Sequence, residues 1–291
     1  MKNYIVVTGG AGFIGSNLIE RLIKESKLNI ISLDNYSTGS IRNHVKDKRV
    51  KYINADTKTI SNVLKNYKKK IKAIFHFGEF SRIYQSFLRM NDCIESNTIG
   101  TNEVFNFCLK NKIKLIYSAT SATIGNNGKD RNLSPYAFTK AKNLEMLENL
   151  KRWFNFKYEV IFFYNVYGPK QISSGRMATV VGIFENQYKN GQPLTVVRPG
   201  TQSRRFTHVY DTVNASIHAY KMNKCRYYSI SNKQSYSIIQ VAKMFGSKIK
   251  YLPPRLGERY VSALAERNSN NKIYKLFGKI KLTNYIKTII S

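Results

Sequence analysis

Two residues of the sequence, Tyr136 and Lys140, have the types and spacing of a proton-transfer pair. Four residues on a helix place both side chains on the same face. An ammonium beside a phenol stabilises the phenolate and lowers the tyrosine pKa toward neutrality, where the phenolate can act as a base. The same spacing also arises by chance, as an exposed aromatic and a solvated lysine, so its meaning depends on the surrounding fold.

A glycine-rich turn near the start of the chain predicts a phosphate-binding site. The segment TGGAGFIG begins at Thr8, and its glycines 9, 12 and 15 have the spacing GxxGxxG. Such a turn lets the backbone approach a pyrophosphate, which then lies on the N-terminus of the following helix. The predicted contacts in this turn are Gly9, Gly12, Phe13, Ile14 and Gly15.

An acidic residue at the end of the second apolar run indicates which dinucleotide would bind. Asp34 comes 19 residues after Gly15. A carboxylate in this place can bind the ribose diol of an adenosine and would repel a 2′-phosphate. We therefore predict that the cofactor is NAD and not NADP.

The elements that must position these residues follow from the order of apolar runs. Buried strands are predicted at Tyr4–Thr8, Asn29–Leu33, Val50–Ile53, Ala73–Phe77, Lys114–Ser118 and Glu159–Phe163. Helices are predicted at Ile14–Lys24, Asn97–Asn111, Ala137–Phe154, Ala178–Asn190, Val209–Lys221 and Ile238–Phe245. Strands that alternate with helices imply a doubly wound parallel sheet in an α/β fold. Frequent prolines and glycines after about Val166 indicate a smaller, loop-rich α/β lobe.

Taken together, these segments resemble the extended short-chain dehydrogenase/reductase family, and most closely its nucleotide-sugar epimerases and dehydratases. The resemblance rests on TGGAGFIG, Leu33-Asp34-Asn35, Asn54-Ala55-Asp56 and Phe75-His76-Phe77, and it covers nearly the whole chain. It implies a Rossmann-type NAD-binding domain over residues 1–165. Residues 166–291 would form a sugar-nucleotide-binding lobe that is interleaved with the first domain. The further cofactor contacts that it implies are Asn35, Asp56 at the adenine, Phe77, Gly78, Asn97 near the nicotinamide and Lys140 at the nicotinamide ribose.

A hydroxyl at the end of the strand Lys114–Ser118 should complete the catalytic group. Ser118, Thr120, Ser121 and Thr123 are all available there. Because Ser121-Ala122-Thr123 matches the SAT triplet of sugar 4-epimerases, the resemblance favours Ser121, with Thr120 as the second choice. The related 4,6-dehydratases carry an Asp-Glu pair where this chain has Ala122 and Thr123. The resemblance therefore disfavours elimination of water.

Three features depart from the pattern of the sugar epimerases. Only 15 residues separate Ser121 from Tyr136, and Ile124 stands where a tyrosine commonly precedes Gly125. Glu79 follows Phe77-Gly78, where a small or apolar residue is more usual. We expect Glu79 to pair with Arg82; a contact with the substrate is the alternative.

The resemblance also places substrate-binding residues, mostly in the second lobe. Asn165, Arg204 and Arg255 match residues that hold the substrate diphosphate, which two guanidiniums can clamp with bidentate hydrogen bonds. Ser81 and Ser121 are the other predicted substrate contacts. Ser262 matches a gating position, where a small residue leaves room for an N-acetyl group.

The resemblance predicts an NAD-dependent nucleotide-sugar 4-epimerase that acts through a transient 4-keto sugar. UDP-glucose and UDP-galactose, or their N-acetyl forms, are the expected substrates. Another oxidoreductase, decarboxylase or dehydratase of the same family is the alternative. A more distant one is a non-catalytic NAD-binding protein whose basic surface binds nucleic acid. The family also implies a homodimer, formed through the predicted helices Asn97–Asn111 and Ala137–Phe154.

The global composition first points to a different partner. The chain has 48 Lys+Arg against 17 Asp+Glu, a net charge of +31, which favours an anionic partner such as nucleic acid or an acidic membrane. The lysines are scattered, however, and we expect a solvated surface with a small-molecule anion as the partner. The cysteines at 93, 108 and 225 form no CxxC pair, and no run of 18 apolar residues occurs. These features predict a cytoplasmic protein without disulfide, bound metal or membrane span.

Overall fold

The computed structural model of the chain describes residues 2–222, 224, 226–255 and 277–291. The strands in these ranges are β1 (Tyr4–Thr8), β2 (Asn29–Asp34), β3 (Val50–Asn54), β4 (Ile71–His76), β5 (Lys114–Thr120), β6 (Tyr158–Phe163), β7 (Val166–Tyr167), β8 (Leu194–Val197), β9 (Ser203–Arg205), β10 (Thr207–His208), β11 (Tyr227–Ser229), β12 (Ser235–Ser237) and β13 (Ile249–Leu252). The α-helices are α1 (Phe13–Glu25), α2 (Ile60–Val63), α3 (Ile83–Leu88), α4 (Met90–Ile94), α5 (Thr101–Lys110), α6 (Pro135–Phe154), α7 (Val180–Lys189), α8 (Val209–Lys221), α9 (Ile238–Lys243) and α10 (Leu282–Ile290). Short 3₁₀ turns lie at Ile41–Asn43, Thr57–Thr59, Lys68–Lys70, Ser121–Thr123 and Gly125–Asn132.

Seven strands form one parallel sheet, in the order β11-β6-β5-β4-β1-β2-β3. Successive side chains of a strand enter two different apolar layers. In β1, Val6 faces the layer that contains α5 and α6, whereas Ile5 and Val7 face the layer that contains α1 and α8. Since both faces of the sheet are covered, its strands need continuous apolar runs, as the sequence shows. The Rossmann-type doubly wound sheet predicted from the sequence is confirmed.

The strand order reverses between β1 and β4. From β1 the chain continues to β2 and β3 on one side, and the later strands β4, β5 and β6 build the other side. Such a switch point leaves a crevice at the carboxyl ends of the two central strands, because their connections leave in opposite directions.

The second half of the chain contributes to the same sheet. The strand β11 pairs with β6, with Tyr228 beside Ile161. At the start of β5 the ammonium of Lys114 donates to the carbonyls of Ala219 and Tyr220, at 3.0 and 2.8 Å, and so caps the end of α8. These contacts interleave the two parts of the chain, while the boundary predicted at residue 165 stays a prediction.

A separate apolar cluster lies within the second half. Three two-stranded sheets frame it, with β8–β13 and β7–β10 parallel and β9–β12 antiparallel. Its buried members are Tyr167, Val181, Phe184, Leu194, Val196, Phe206, Val241, Ala242, Phe245, Leu282 and Ile286. The helices α7, α9 and α10 thus share a core of their own.

The helix predicted over Asn97–Asn111 is more irregular than its sequence suggested. A π-helical turn, Glu95–Gly100, precedes α5. Within it the amide of Asn97 binds the backbone of Phe80 on both sides, accepting from the nitrogen at 2.7 Å and donating to the carbonyl at 3.0 Å. Single π turns are frequent at functional sites, and this one aims a polar side chain at the loop after β4.

Within the described ranges, no helix is long and apolar enough to cross a membrane. The same residues contain no group of three or more His, Cys, Asp or Glu side chains that could hold a metal ion. Cys93 and Cys108 are buried free thiols, and Cys225 lies outside the described residues.

Candidate active site

A cavity of about 670 Å³ opens at the carboxyl ends of β1, β4 and β5, where the strand order reverses. Every cofactor, catalytic and diphosphate contact predicted from the sequence lines it, with the exception of Asn97. These residues are Gly9, Gly12, Phe13, Ile14, Gly15, Asp34, Asn35, Asp56, Phe77, Gly78, Ser81, Ser121, Tyr136, Lys140, Asn165, Arg204 and Arg255. The fold therefore brings together residues that are up to 246 positions apart, from Gly9 to Arg255.

The glycine turn after β1 has the shape that a pyrophosphate needs. Gly9 has φ +70°, and a Cβ there would lie 2.8 Å from the backbone nitrogen of Gly78. At Gly15 an added Cβ would lie 2.1 Å from the carbonyl of Gly9. Gly12 directly precedes α1 and has no side chain to cap the helix, so a bound anion can occupy that place. The turn thus fits the diphosphate of NAD.

The part of the cavity predicted to hold the adenosine is lined by two carboxylates whose positions are fixed by hydrogen bonds. Asp34 ends β2, and its side chain accepts hydrogen bonds from the backbone nitrogens of Ala11 and Tyr36, at 2.9 and 2.8 Å. Burial raises the pKa of Asp34, and those backbone donors oppose the rise. Asp56 accepts from the amide of Asn35 at 2.9 Å. These acceptors suit the hydroxyl and amino groups of an adenosine, so the residues present fit NAD at this end as well.

Asn97 lies behind the cavity wall. Its side chain is buried, and its amide oxygen accepts a hydrogen bond from the backbone nitrogen of Phe80. The amide nitrogen lies 3.3 Å from the hydroxyl of Thr139. It therefore holds the loop after β4 in place. A direct contact of Asn97 with the nicotinamide end stays a prediction.

The first turns of α6 carry the proposed proton-transfer pair. The hydroxyl of Ser134 caps this helix by accepting from the nitrogen of Ala137 at 3.0 Å. Tyr136 is 9% exposed. Burial raises the pKa of Tyr136 to about 12, the Glu79 carboxylate also raises it, and a hydrogen bond with Thr120 and the charge of Arg82 lower it. The phenol therefore needs further positive charge to ionise near neutral pH.

The four hydroxyls near the end of β5 have different partners. Ser118 donates to the carbonyl of His76 at 2.9 Å, and Thr123 donates to the carbonyl of Thr120 at 2.8 Å. The hydroxyl of Thr120 is the one that hydrogen-bonds to the phenol of Tyr136. Ser121 lines the cavity in the following 3₁₀ turn, and its hydroxyl has no hydrogen-bond partner among the described residues. Two hydroxyls, Thr120 and Ser121, thus remain for the chemistry.

The prediction that Glu79 forms an ion pair with Arg82 is wrong. The carboxylate of Glu79 pairs instead with the ammonium of Lys140. Arg82, just before α3, instead donates to the carbonyls of Met177 and Ser81, both at 2.9 Å. The pairing follows from the order of the sheet, because Glu79 comes after β4, and β4 is the neighbour of β5, the strand that leads toward Lys140.

The polar side chains that were predicted in the second lobe to contact the substrate also line the cavity. Asn165, with φ +34°, donates from its amide to the carbonyl of Arg205 at 2.8 Å. Arg204 lies on β9, and the guanidinium of Arg255 lies 5.7 Å from the ring centroid of Tyr84. The two guanidiniums and the amide that these residues bring to the cavity are suited to an anion. Ser262, the predicted gating residue, lies outside the described residues.

Comparison with known proteins identifies relatives along almost the whole chain. The model of the NAD dependent epimerase/dehydratase family matches residues 5–272. A putative UDP-glucose 4-epimerase of Methanocaldococcus jannaschii is 26% identical over 302 residues, covering 99% of this chain and 97% of the relative. An ADP-L-glycero-D-manno-heptose-6-epimerase of Brachyspira hyodysenteriae is 29% identical over 256 residues, covering 82% and 79%. Among solved structures, the UDP-glucose 4-epimerase of Thermotoga maritima with UDP-glucose has a TM-score of 0.88 at 25% identity, covering 99% and 97%. The chain therefore belongs to the NAD-dependent epimerase/dehydratase family, and its cofactor is NAD.

Proposed function

We propose that the protein is a nucleotide-sugar 4-epimerase. The observation that carries this proposal is that one cavity is lined by the glycine turn after β1, by Tyr136 and Lys140, and by polar side chains of the second lobe. Elimination of water would need an acid and a base beside the catalytic hydroxyl. Ala122 has neither, and the hydroxyl of Thr123 is bound to the carbonyl of Thr120. A dehydratase is therefore the weaker alternative.

In this mechanism Tyr136 takes the proton of the C4 hydroxyl and later returns it. NAD, when bound, supplies the acceptor and donor of the C4 hydride, so that the sugar passes through a 4-keto form. Lys140 supplies positive charge for the phenolate of Tyr136, and Arg82 lowers the pKa of the same phenol. Thr120 hydrogen-bonds to the phenol, while Ser121 contacts the sugar oxygen. Each group returns to its starting state, so no redox partner is consumed.

Inversion at C4 requires the sugar to turn while the rest of the substrate stays bound. The lining of the cavity includes Asn165, Arg204 and Arg255. We propose that they hold the diphosphate, because bidentate guanidinium contacts to phosphate oxygens are strong and directional. The hexose itself then needs only a spacious pocket, which suits UDP-glucose and UDP-galactose or their N-acetyl forms.

The direct test is to incubate the purified protein with each of these four UDP-sugars and to separate the products. We expect interconversion of one epimer pair without added reductant, and without a stoichiometric change in NADH absorbance. Release of carbon dioxide or a net redox change would show another family reaction, and no conversion of any epimer pair would refute the epimerase. Light scattering of the same preparation tests the homodimer predicted through α5 and α6.

The two hydroxyls at the end of β5 should affect turnover in different ways. Thr120→Val removes a hydrogen bond that lowers the pKa of Tyr136. The acid limb of the kcat profile should therefore move to higher pH, and Thr120→Ser should restore it. Ser121→Ala should lower kcat by about 10²-fold with the limb unmoved, because it removes a group that contacts the reacting oxygen. An unmoved limb in Thr120→Val, or unaltered kcat in Ser121→Ala, would contradict these roles.

A further inference from the structure

The ammonium of Lys140 contacts a carboxylate, that of Glu79, which the proposed mechanism does not use. The side chains of Lys140 and Glu79 are only 4% and 2% exposed, and they form an ion pair. The same ammonium donates to the carbonyl of Ser118 at 2.5 Å and lies 4.7 Å from the ring centroid of Tyr117. Glu79 is thus a buried charge in direct contact with one member of the proposed proton-transfer pair.

The carboxylate of Glu79 is held by several donors. One oxygen accepts from the hydroxyls of Thr101 and Tyr117, both at 3.1 Å, and lies 3.4 Å from the amide nitrogen of Asn143. A buried charge is tolerated only when it is paired and hydrogen-bonded, and here both conditions hold. Since an ionised carboxylate can only accept, each of these neighbours must donate to it.

This requirement fixes the direction of a longer hydrogen-bond chain. Thr101 donates to Glu79, so the Nε2–H of His76 must donate to Thr101, at 2.9 Å. The other ring nitrogen, Nδ1, then accepts from the hydroxyl of Thr8, at 2.7 Å. Burial lowers the pKa of His76 to about 4, in agreement with a neutral ring that carries one N–H. Glu79 is therefore anchored to the end of β1, next to the glycine turn.

We propose that Glu79 is a positioning residue of the reaction: it keeps the buried ammonium of Lys140 charged and in place, so that the proton lost at this site leaves Tyr136. The proposal rests on the proposed function, in which Tyr136 and Lys140 form the proton-transfer pair. Glu79 itself is placed behind Lys140 and acts through it.

The charges around the pair support this role. Burial lowers the pKa of Lys140, and the Glu79 carboxylate raises it. The other titratable groups that face the pair are His76 on β4, Tyr117 on β5, Cys93 on α4 and Arg82 before α3. The ring of His76 is neutral, burial raises the pKa of Cys93 to about 11, and burial holds the pKa of Tyr117 well above its usual value. Glu79 is thus the anion among these neighbours that can keep Lys140 protonated.

Two substitutions separate the charge of Glu79 from its shape. Glu79→Gln keeps the size but removes the negative charge, so loss of a proton from the Lys140–Tyr136 pair becomes easier. The acid limb of kcat should move to lower pH by about one unit. The kcat plateau should fall by about 10²-fold with KM nearly unchanged, because the proton now leaves Lys140 in most molecules and the ammonium is no longer held. Glu79→Asp keeps the charge, so the acid limb of its kcat profile should stay in place. Its kcat plateau should lie between those of Glu79→Gln and the unaltered protein.

The matched control is Glu145→Gln, which changes a half-buried acid on the same helix as Tyr136 that pairs with Lys142 at 2.8 Å. It should behave as the unaltered protein. Unaltered kcat in Glu79→Gln would overturn the proposal. A loss of kcat with the limb in place, equal in Gln and Asp and accompanied by a lower melting temperature, would also overturn it, because that pattern indicates a structural role.

A second measurement needs no turnover. NMR of isotope-labelled lysine side chains, assigned with Lys140→Met, reports the charge of the Lys140 nitrogen directly. It should stay an ammonium through neutral pH in the unaltered protein and in Glu79→Asp, and it should lose its proton at lower pH in Glu79→Gln. An unchanged titration in Glu79→Gln would overturn the proposal. If the unaltered protein converts no sugar nucleotide, the proposed function fails, and this titration still decides whether Glu79 holds the charge.

Discussion

Replacing Tyr136 by phenylalanine is expected to lower epimerase turnover by about 10²- to 10⁴-fold, because the reaction loses the group that takes and returns the C4 hydroxyl proton. The ring of Tyr136 packs against a small cluster that includes Phe80, Cys93 and Ala122. Phenylalanine keeps this packing and removes only the hydroxyl. The melting temperature and the amount of NAD retained should therefore stay close to those of the unaltered protein.

The measurement is the initial rate with the UDP-sugar that the unaltered protein converts, at equal NAD content. Tyr210→Phe is the matched control, since Tyr210 is 47% exposed and lies on α8. In the unaltered protein kcat should rise with pH as Tyr136 ionises, and Tyr136→Phe should show no such rise. Turnover within about tenfold of the unaltered protein would show that another group transfers the proton.

Replacing Gly9 by alanine is expected to abolish NAD retention and to lower the free energy of unfolding by about 2 to 5 kcal/mol. Its φ of +70° is strained for a residue with a Cβ, and that Cβ would lie 2.8 Å from the backbone of Gly78. Because the atoms that this Cβ would meet belong to the backbone of Phe77 and Gly78, no side chain can move to relieve the contact. The loops after β1 and β4 would have to separate, and the pyrophosphate cradle would open.

Urea unfolding and the NAD content of the purified variant measure the two effects. Gly191→Ala is the matched control, because Gly191 also has positive φ, +64°, but nothing lies within 4 Å of its added Cβ. It should cost only about 1 to 2 kcal/mol and should retain NAD. Equal losses in both variants would mean that backbone strain, and not the contact with Gly78, explains the effect.

The parts of the site that could be predicted from the sequence are the local ones. The glycine turn lies within one strand–turn–helix segment and the Tyr136–Lys140 spacing lies within one helix, so a short stretch of sequence determines the geometry of each. The alternation of apolar runs was sufficient for the parallel sheet, because strands that are apolar on both faces and alternate with helices are typical of sheets covered on both sides. These features of the sequence also indicated where Asp34 must lie, at the carboxyl end of β2.

The parts that could not be predicted depend on contacts between distant segments. Glu79 reaches Lys140, 61 residues away, only because β4 and β5 are neighbours and their ends meet under α6. Arg82, the nearer cation in sequence, turns to the second lobe instead. The choice between Thr120 and Ser121 depended on where β5 ends. The strand continues two residues beyond the predicted Ser118, which places Thr120 within the strand and Ser121 in the turn.

The entry of α8 and β11 into the large sheet has a consequence for how the chain folds during its synthesis. Ile116 and Ile161 belong to the apolar layer that α8 covers, and Glu159 on β6 accepts from the backbone nitrogens of Lys224 and Arg226 at 2.8 and 2.9 Å. When the first 165 residues have left the ribosome, that face is covered by α1 without α8, and that carboxylate lacks those donors. The nascent NAD-binding half therefore stays incompletely packed and accessible to chaperones until residues 209–229 have emerged and packed against it.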